Sequence, residues 1–301
     1  MTQGSTIEAF DLANDAAYAA WRERKLAAYP AKVDELFVPI ADPLALSDAE
    51  HAAVLAACGR ANMAVYEFQG QTGLADKAVI SSFAAQFGLR ELDCNLYADD
   101  EGISALQVSA ERRQFEYIPY SNRAISWHTD GYYNPPERMV RGMVLHCARP
   151  AAQDGENALL DHEMVYLLMR DENPDYIAAL MRPDVMTIPA NVENGVEIRP
   201  AQTGPVFSVD TKTDSLHMRY TARTRSIEWK QDAPTQAAVK FLEQLLAGDL
   251  PYIFHYRLKA GQGVICNNIL HTRSAFVDDP SPGQGRLMYR ARYYDRVGQQ
   301  P

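Results

Sequence analysis

A change of pattern near residue 100 sets the tightest limit on how this chain can fold. Beyond it, short runs of β-branched and aromatic residues follow one another, bounded by glycine, proline and asparagine. The strongest are RMVRGMVLHCARP (138–150), NALLDH (157–162), PVFSVDT (205–211), YIFHYRL (252–258), GVICNNIL (263–270) and RLMYRARYY (286–294). KAGQG (259–263) reads as the turn joining two of them. One clear helix interrupts the series, with Thr235 as N-cap, then QAAVKFLEQLLA, then Gly248.

Before residue 100 the pattern is helical. Residues 7–28 are alanine-rich and predict an N-terminal helix packed outside the core. Ser47 with Glu50 writes a capping box, and LADKAVISSFAAQFG predicts a helix closed by Gly88. MAVYEF (63–68) has the composition of a short buried strand. Strict βαβ alternation is missing, as are GxGxxG and the phosphate-loop pattern, which argues against a Rossmann sheet. Helices first and strands afterward predict an α+β, mainly β chain with a barrel or sandwich core and flanking helices. The expectation is a single domain over 1–301, with 1–90 a mostly helical elaboration and 91–296 the core carrying the site.

Charge narrows the partners. The formal net charge of −10 argues against a nucleic-acid or anionic-membrane surface, since both call for a basic face. A few arginines can still reverse the field inside a pocket, so a small anionic substrate stays open. Cys58, Cys94, Cys147 and Cys266 form no CxxC pair and read as reduced, mostly buried thiols. Neither a signal-peptide pattern nor an apolar run of about 20 residues is present, so a soluble cytoplasmic protein is expected. A homo-oligomer is compatible with all of this.

The densest chemistry lies in SWHTDGYYN (126–134). Alternate residues of a strand share a face, about 7 Å apart at Cα, so His128 and Asp130 can reach one ion from a strand end. An imidazole with a carboxylate suits Fe(II), Mn(II) or Zn(II). A solvated strand end writes the same three letters. Downstream, His271 follows GVICNNIL, and fifteen residues later Arg286 opens a segment in which Arg290 and Arg292 share its face. A second histidine at a strand end would complete two imidazoles and one carboxylate, leaving adjacent positions open for ligands. An arginine on the neighbouring strand could clamp a carboxylate bidentately.

HTD, a distant histidine and then R-x-M-x-R resemble the taurine dioxygenase-like branch of the Fe(II)/2-oxoglutarate-dependent oxygenases, over roughly residues 60–294. The resemblance implies a double-stranded β-helix, or jelly roll, with Fe(II) as cofactor and 2-oxoglutarate and O2 as co-substrates. It implies that His128, Asp130 and His271 ligate the metal and act in catalysis. Arg286 would bind the distal carboxylate of 2-oxoglutarate, assisted by Asn157 at the end of QDGEN. Arg290 would contact an anionic end of the substrate. Two departures stand out: TRSAFVDDPSPGQG is longer than in taurine-cleaving members, and Asn157 replaces the more usual hydroxyl. The implied outcome is decarboxylation to succinate and hydroxylation of an unactivated C–H bond in a small polar metabolite. The carboxylate of Asp130 favours oxygen transfer over halogenation.

Tyr132 and Tyr133, with Tyr117 and Tyr120, can wall a substrate or cage a quaternary amine, or sit as half-buried rim tyrosines. Asn122 and Asn134 can orient a substrate or simply make turns. His146 reads as a core histidine, and His162, His217 and His255 as strand or strand-end residues. Arg219, Arg223 and Arg225 are a basic cluster that is solvated or paired, or meets a substrate carboxylate. Arg273 either touches 2-oxoglutarate or braces Asp278 or Asp279. The acidic run YADDEG (97–102) is a turn or loop. Two competing readings remain: a zinc hydrolase on the same ligands, and a jelly-roll binding protein without catalysis.

Overall fold

A computed structural model describes residues 6–70, 76–93, 102–108, 117–224, 227–279, 281 and 283–299. Cys94, Arg225 and nearly all of the acidic run YADDEG lie outside them. The chain divides into two compact units, one of 1–29, 127–139 and 160–253, the other of 30–126, 140–159 and 254–301.

The second unit is built on a six-stranded sheet. Its order is Phe37–Ile40, Met63–Phe68, Gln262–Cys266, Gly142–Arg149, Leu287–Tyr293 and Ser104–Leu106. Only the first pair is parallel. The helix Asp48–Ala61 joins that pair, and it starts as the sequence predicts, on a full Ser47–Glu50 capping box. The strand Met63–Phe68 carries β-formers on both faces because both are covered: only Glu67 is exposed. Tyr66, Phe68, Phe83 and His146 stack into one aromatic cluster with centroid spacings of 4.6–5.9 Å. Gly263 is required there, since a Cβ would sit 2.3 Å from the Tyr66 ring and 2.7 Å from the Leu145 carbonyl.

A four-stranded sheet runs Phe254–Tyr256, Asn157–Leu160, Leu270–Arg273 and Ile125–His128. The stretch GVICNNIL is therefore not one strand. It ends as a strand at Cys266, turns through Asn268 at φ +50°, and re-enters the other sheet at Leu270. Asn268 tolerates that left-handed conformation, and its amide donates to the Val140 carbonyl at 2.6 Å. KAGQG likewise joins strands of two different sheets, with Gly261 at φ +83°.

The first unit is mainly helical. The expected N-terminal helix is two, Thr6–Phe10 and Asp15–Ala28, because Asn14 caps the second. Nor is it outside a core: Phe10 and Trp21 pack edge-to-face on Tyr166. Two helices absent from the sequence reading, His162–Glu172 and Pro174–Leu180, follow the strand that ends at Leu160. Their N-caps are Asp161 and Asn173. The helix Ala233–Ala247 is capped by Asp232, not Thr235. Thr235 is its N3 residue, donating its backbone N–H to the Asp232 carboxylate at 2.9 Å.

Beneath these helices lies a buried ion triad. Lys25 Nζ sits 2.6 Å from Asp161 and 2.6 Å from Glu163, tying Asp15–Ala28 to His162–Glu172. Short antiparallel pairs, among them Phe207–Asp210 with Ser215–Met218, complete this unit. Among the described residues no helix is long and apolar enough to cross a membrane.

Candidate metal centre

His128 is the last residue of the strand Ile125–His128 and Asp130 lies just beyond it. The exit is held by backbone bonds to a neighbouring segment: Thr129 N–H donates to the Tyr220 carbonyl at 2.9 Å and Ala222 N–H to the Trp127 carbonyl at 2.8 Å. Gly131, at φ +66°, then turns the chain. The outcome is a fixed pair, with His128 Nε2 3.9 Å from Asp130 Oδ1 and the aspartate 5% exposed.

His271 is the second residue of Leu270–Arg273, within the strand rather than at its end, and is 8% exposed. Its Nδ1 lies 3.0 Å from the Ile269 carbonyl oxygen. A neutral ring donates there, which leaves the Nε2 lone pair for a ligand. His128, Asp130 and His271 each offer one ligand atom, and the three atoms lie within 4.8 Å of one another. Two imidazoles and one carboxylate, largely buried, fit a divalent first-row metal such as Fe(II) by donor chemistry.

Arg286 is 5% exposed and stacks its guanidinium 5.1 Å from the Phe276 ring centre. Asp278 accepts its backbone N–H at 2.5 Å, but among the described residues no carboxylate pairs with the side chain. Burial pushes its pKa down to about 10, with Cys147 and Asp278 pulling the other way. A buried guanidinium without a protein anion is a natural seat for a ligand carboxylate. It lines one cavity with Asn157, Gly155, Arg257 and Met288. Gly155 lines the same cavity at φ +78°, a left-handed backbone that favours glycine, and a Cβ there would make only ordinary contact with Phe276 at 3.4 Å and Arg286 Nε at 3.8 Å. Asn157 donates its amide to the Thr272 carbonyl at 2.9 Å, which pins it to the strand bearing His271.

Other residues separate into structural and available ones. Arg273 touches neither Asp278 nor Asp279. It spans the carbonyls of Ser121 (2.8 Å) and Arg123 (2.5 Å) and stacks on Phe276, so it braces the loop 118–123. Arg219 is spent on the carbonyls of Tyr132, Met186 and Gln202. His146 is a core residue 3.1 Å from the Tyr66 hydroxyl, its pKa lowered by burial to about 4. His162 opens a helix and meets the Leu216 carbonyl at 3.0 Å. Cys58 and Cys147 are buried thiols with raised pKa values, desolvation being the cause.

Tyr132 and Tyr133 form an edge-to-face pair at 5.2 Å, half-buried. Asn122 is exposed, and its carbonyl accepts the Phe276 N–H at 3.1 Å. Arg290 is half-buried on Leu287–Tyr293, paired in register with Ser104 and Leu145. Arg292 forms a buried ion pair with Asp93. Sequence reasoning missed Arg199, whose guanidinium sits 5.7 Å over the Tyr133 ring. No motif marks it, because the contact comes from a hairpin 66 residues away along the chain.

A family model described as taurine catabolism dioxygenase TauD, TfdA family matches residues 25–292. A uridine-5'-phosphate dioxygenase from Streptomyces sp is 27% identical over 222 residues, which is 70% of this chain and 77% of the relative. A trimethyllysine dioxygenase from Meyerozyma guilliermondii is 26% identical over 166 residues, 52% of this chain and 40% of that relative. Among solved structures, the non-heme iron oxygenase OrfP in complex with Fe and alpha-ketoglutaric acid superposes with a TM-score of 0.61 at 14% identity. The match covers 99% of this chain and 93% of that one, and shows a shared fold.

Proposed function

Because the chain belongs to the taurine catabolism dioxygenase TauD/TfdA family, we propose that it hydroxylates an unactivated C–H bond of a small polar metabolite. The balance is substrate C–H, O2 and 2-oxoglutarate giving substrate C–OH, succinate and CO2. Ferrous iron, when bound, supplies the centre at which O2 is activated as 2-oxoglutarate is decarboxylated. The core is read as a double-stranded β-helix with its metal end at the His128–Asp130 turn.

His128, Asp130 and His271 are the metal ligands in this reading. The observation that carries it is the approach of their three ligand atoms to within 4.8 Å. Asp130 adds a negative charge that offsets part of the metal's, and the His271 Nδ1 contact with Ile269 holds that ring in register. Arg286 takes the distal carboxylate of 2-oxoglutarate, supported by its burial without a protein anion, and Asn157 presents an amide N–H from the same cavity. Phe276, with its ring centre 5.1 Å from the Arg286 guanidinium, excludes water from that pair and raises its worth. Tyr132, Tyr133, Asn122 and Arg290 are proposed to face the primary substrate.

The experiment that tests this is succinate release by purified protein supplied with Fe(II), 2-oxoglutarate and a panel of metabolites. Release that needs both additions is expected. Turnover by zinc-loaded protein without oxygen would replace this reading with the hydrolase.

A further inference from the structure

We propose that Arg223 and Tyr132 form a subsite for an anionic group of the primary substrate, a phosphate, sulfonate or carboxylate. This rests on the oxygenase reading above and narrows its substrate to oxyanion-bearing metabolites.

The observation is a concentration of positive charge where the chain as a whole is acidic. With 39 acidic and 29 basic residues, an arginine cluster without acids is not the average surface. Yet Arg199, Arg219 and Arg223 gather on the Tyr132–Tyr133 strip, and among the described residues no carboxylate pairs with any of the three. Two of them are anchored. Arg219, 2% exposed, donates its guanidinium to three carbonyls, Tyr132 O and Gln202 O at 2.7 Å and Met186 O at 3.3 Å. Arg199 donates to Pro189 O at 2.7 Å and Pro200 O at 2.8 Å while lying over Tyr133. These two charges are built into the wall and set the local field.

Arg223 is different. Its side chain is exposed and meets the Tyr132 hydroxyl, while its backbone N–H goes to Thr221 Oγ1 at 3.3 Å. A guanidinium has five N–H donors, so most of Arg223's remain for a ligand. Tyr132 is half-buried, and its phenolic O–H can donate alongside. Position ties the pair to the metal ligands. Tyr132 stands two residues beyond Asp130, and Thr221 is bridged to His128 backbone to backbone. An oxyanion held by Arg223 and Tyr132, with Arg199 and Arg219 behind them, would orient a substrate by its charged end. A fixed positive wall of this kind also selects against cationic substrates, which argues against these tyrosines forming a quaternary-amine cage.

The test titrates metal-free protein at constant ionic strength with inorganic phosphate, methanesulfonate, acetate and tetramethylammonium chloride, reading calorimetric affinity and Tm. At least one anion is expected to bind and raise Tm in wild type and in Arg286→Met, whereas tetramethylammonium does neither. Arg223→Met should weaken that anion about tenfold or more and Tyr132→Phe several-fold, as expected for losing donors to a charged group. Arg223→Lys should recover part of the loss, which a merely structural role would not give. Unchanged affinity in both Arg223→Met and Tyr132→Phe overturns the proposal, as does binding that vanishes only in Arg286→Met. The anaerobic Fe(II)/2-oxoglutarate absorption band is measured in the same variants. Its retention in Arg223→Met beside lost anion binding supports the subsite, and its absence from wild type strikes the oxygenase reading instead.

Discussion

The guanidinium of Arg286 lies 5.1 Å from the ring centre of Phe276, a buried cation resting on an aromatic face rather than on an acid. A protein tolerates such a charge at a cost in folding free energy, and burial drives its pKa down to about 10. Arg286→Met should therefore leave the Tm of the ligand-free protein unchanged or higher. The same change should raise the KM for 2-oxoglutarate by roughly 150-fold or more, since two charge-assisted hydrogen bonds are worth about 1.5–3 kcal/mol each. Steady-state kinetics beside a thermal melt checks both halves. A large fall in Tm with normal KM would show that Arg286 is structural.

His146 should make the protein acid-sensitive above the range of its carboxylates. Burial lowers its pKa from 6.5 to about 4, so the unfolded chain takes up a proton that the folded one refuses. The sign follows: stability is fully present above pH 6.5 and is lost as pH falls toward 4. The loss approaches about 3 kcal/mol at its limit. Urea unfolding at pH 7, 5.5 and 4.5 should show a slope that His146→Gln flattens.

Lys25 is 6% exposed between two carboxylates, its pKa raised by Asp161 and Glu163 against the opposing effect of burial. Lys25→Met strands both acids and should destabilise by about 3–5 kcal/mol. Adding Glu163→Leu should restore part of it, because one buried charge is then removed with its partner. Chemical denaturation of the single and double variants measures this, and additive losses would contradict it.

Much of this architecture is legible in the sequence where a local rule has no competitor. Ser47 and Glu50 satisfy each other within one turn, and MAVYEF has flanks that end it, so the structure agrees there. GVICNNIL misleads because apolar residues flank Asn267 and Asn268 on both sides, while the backbone turns at Asn268 to serve two different sheets. The helix His162–Glu172 is hidden because NALL runs into it with only Asp161 between, without a glycine or proline. At the site, HxD and the distant histidine were readable as types, but their meeting depends on contacts 143 residues apart along the chain. The fates of Arg219 and Arg273 depend on which carbonyls fold toward them, and no spacing encodes that.

The central claim is tested most directly by adding Fe(II) and then 2-oxoglutarate to the protein without oxygen and recording the visible spectrum. The chelate of 2-oxoglutarate on ferrous iron should give a charge-transfer band in wild type that His271→Ala and Asp130→Ala weaken or abolish. A wild-type protein that binds Fe(II) and 2-oxoglutarate without the band, or an Asp130→Ala variant that keeps it along with full turnover, would contradict the account.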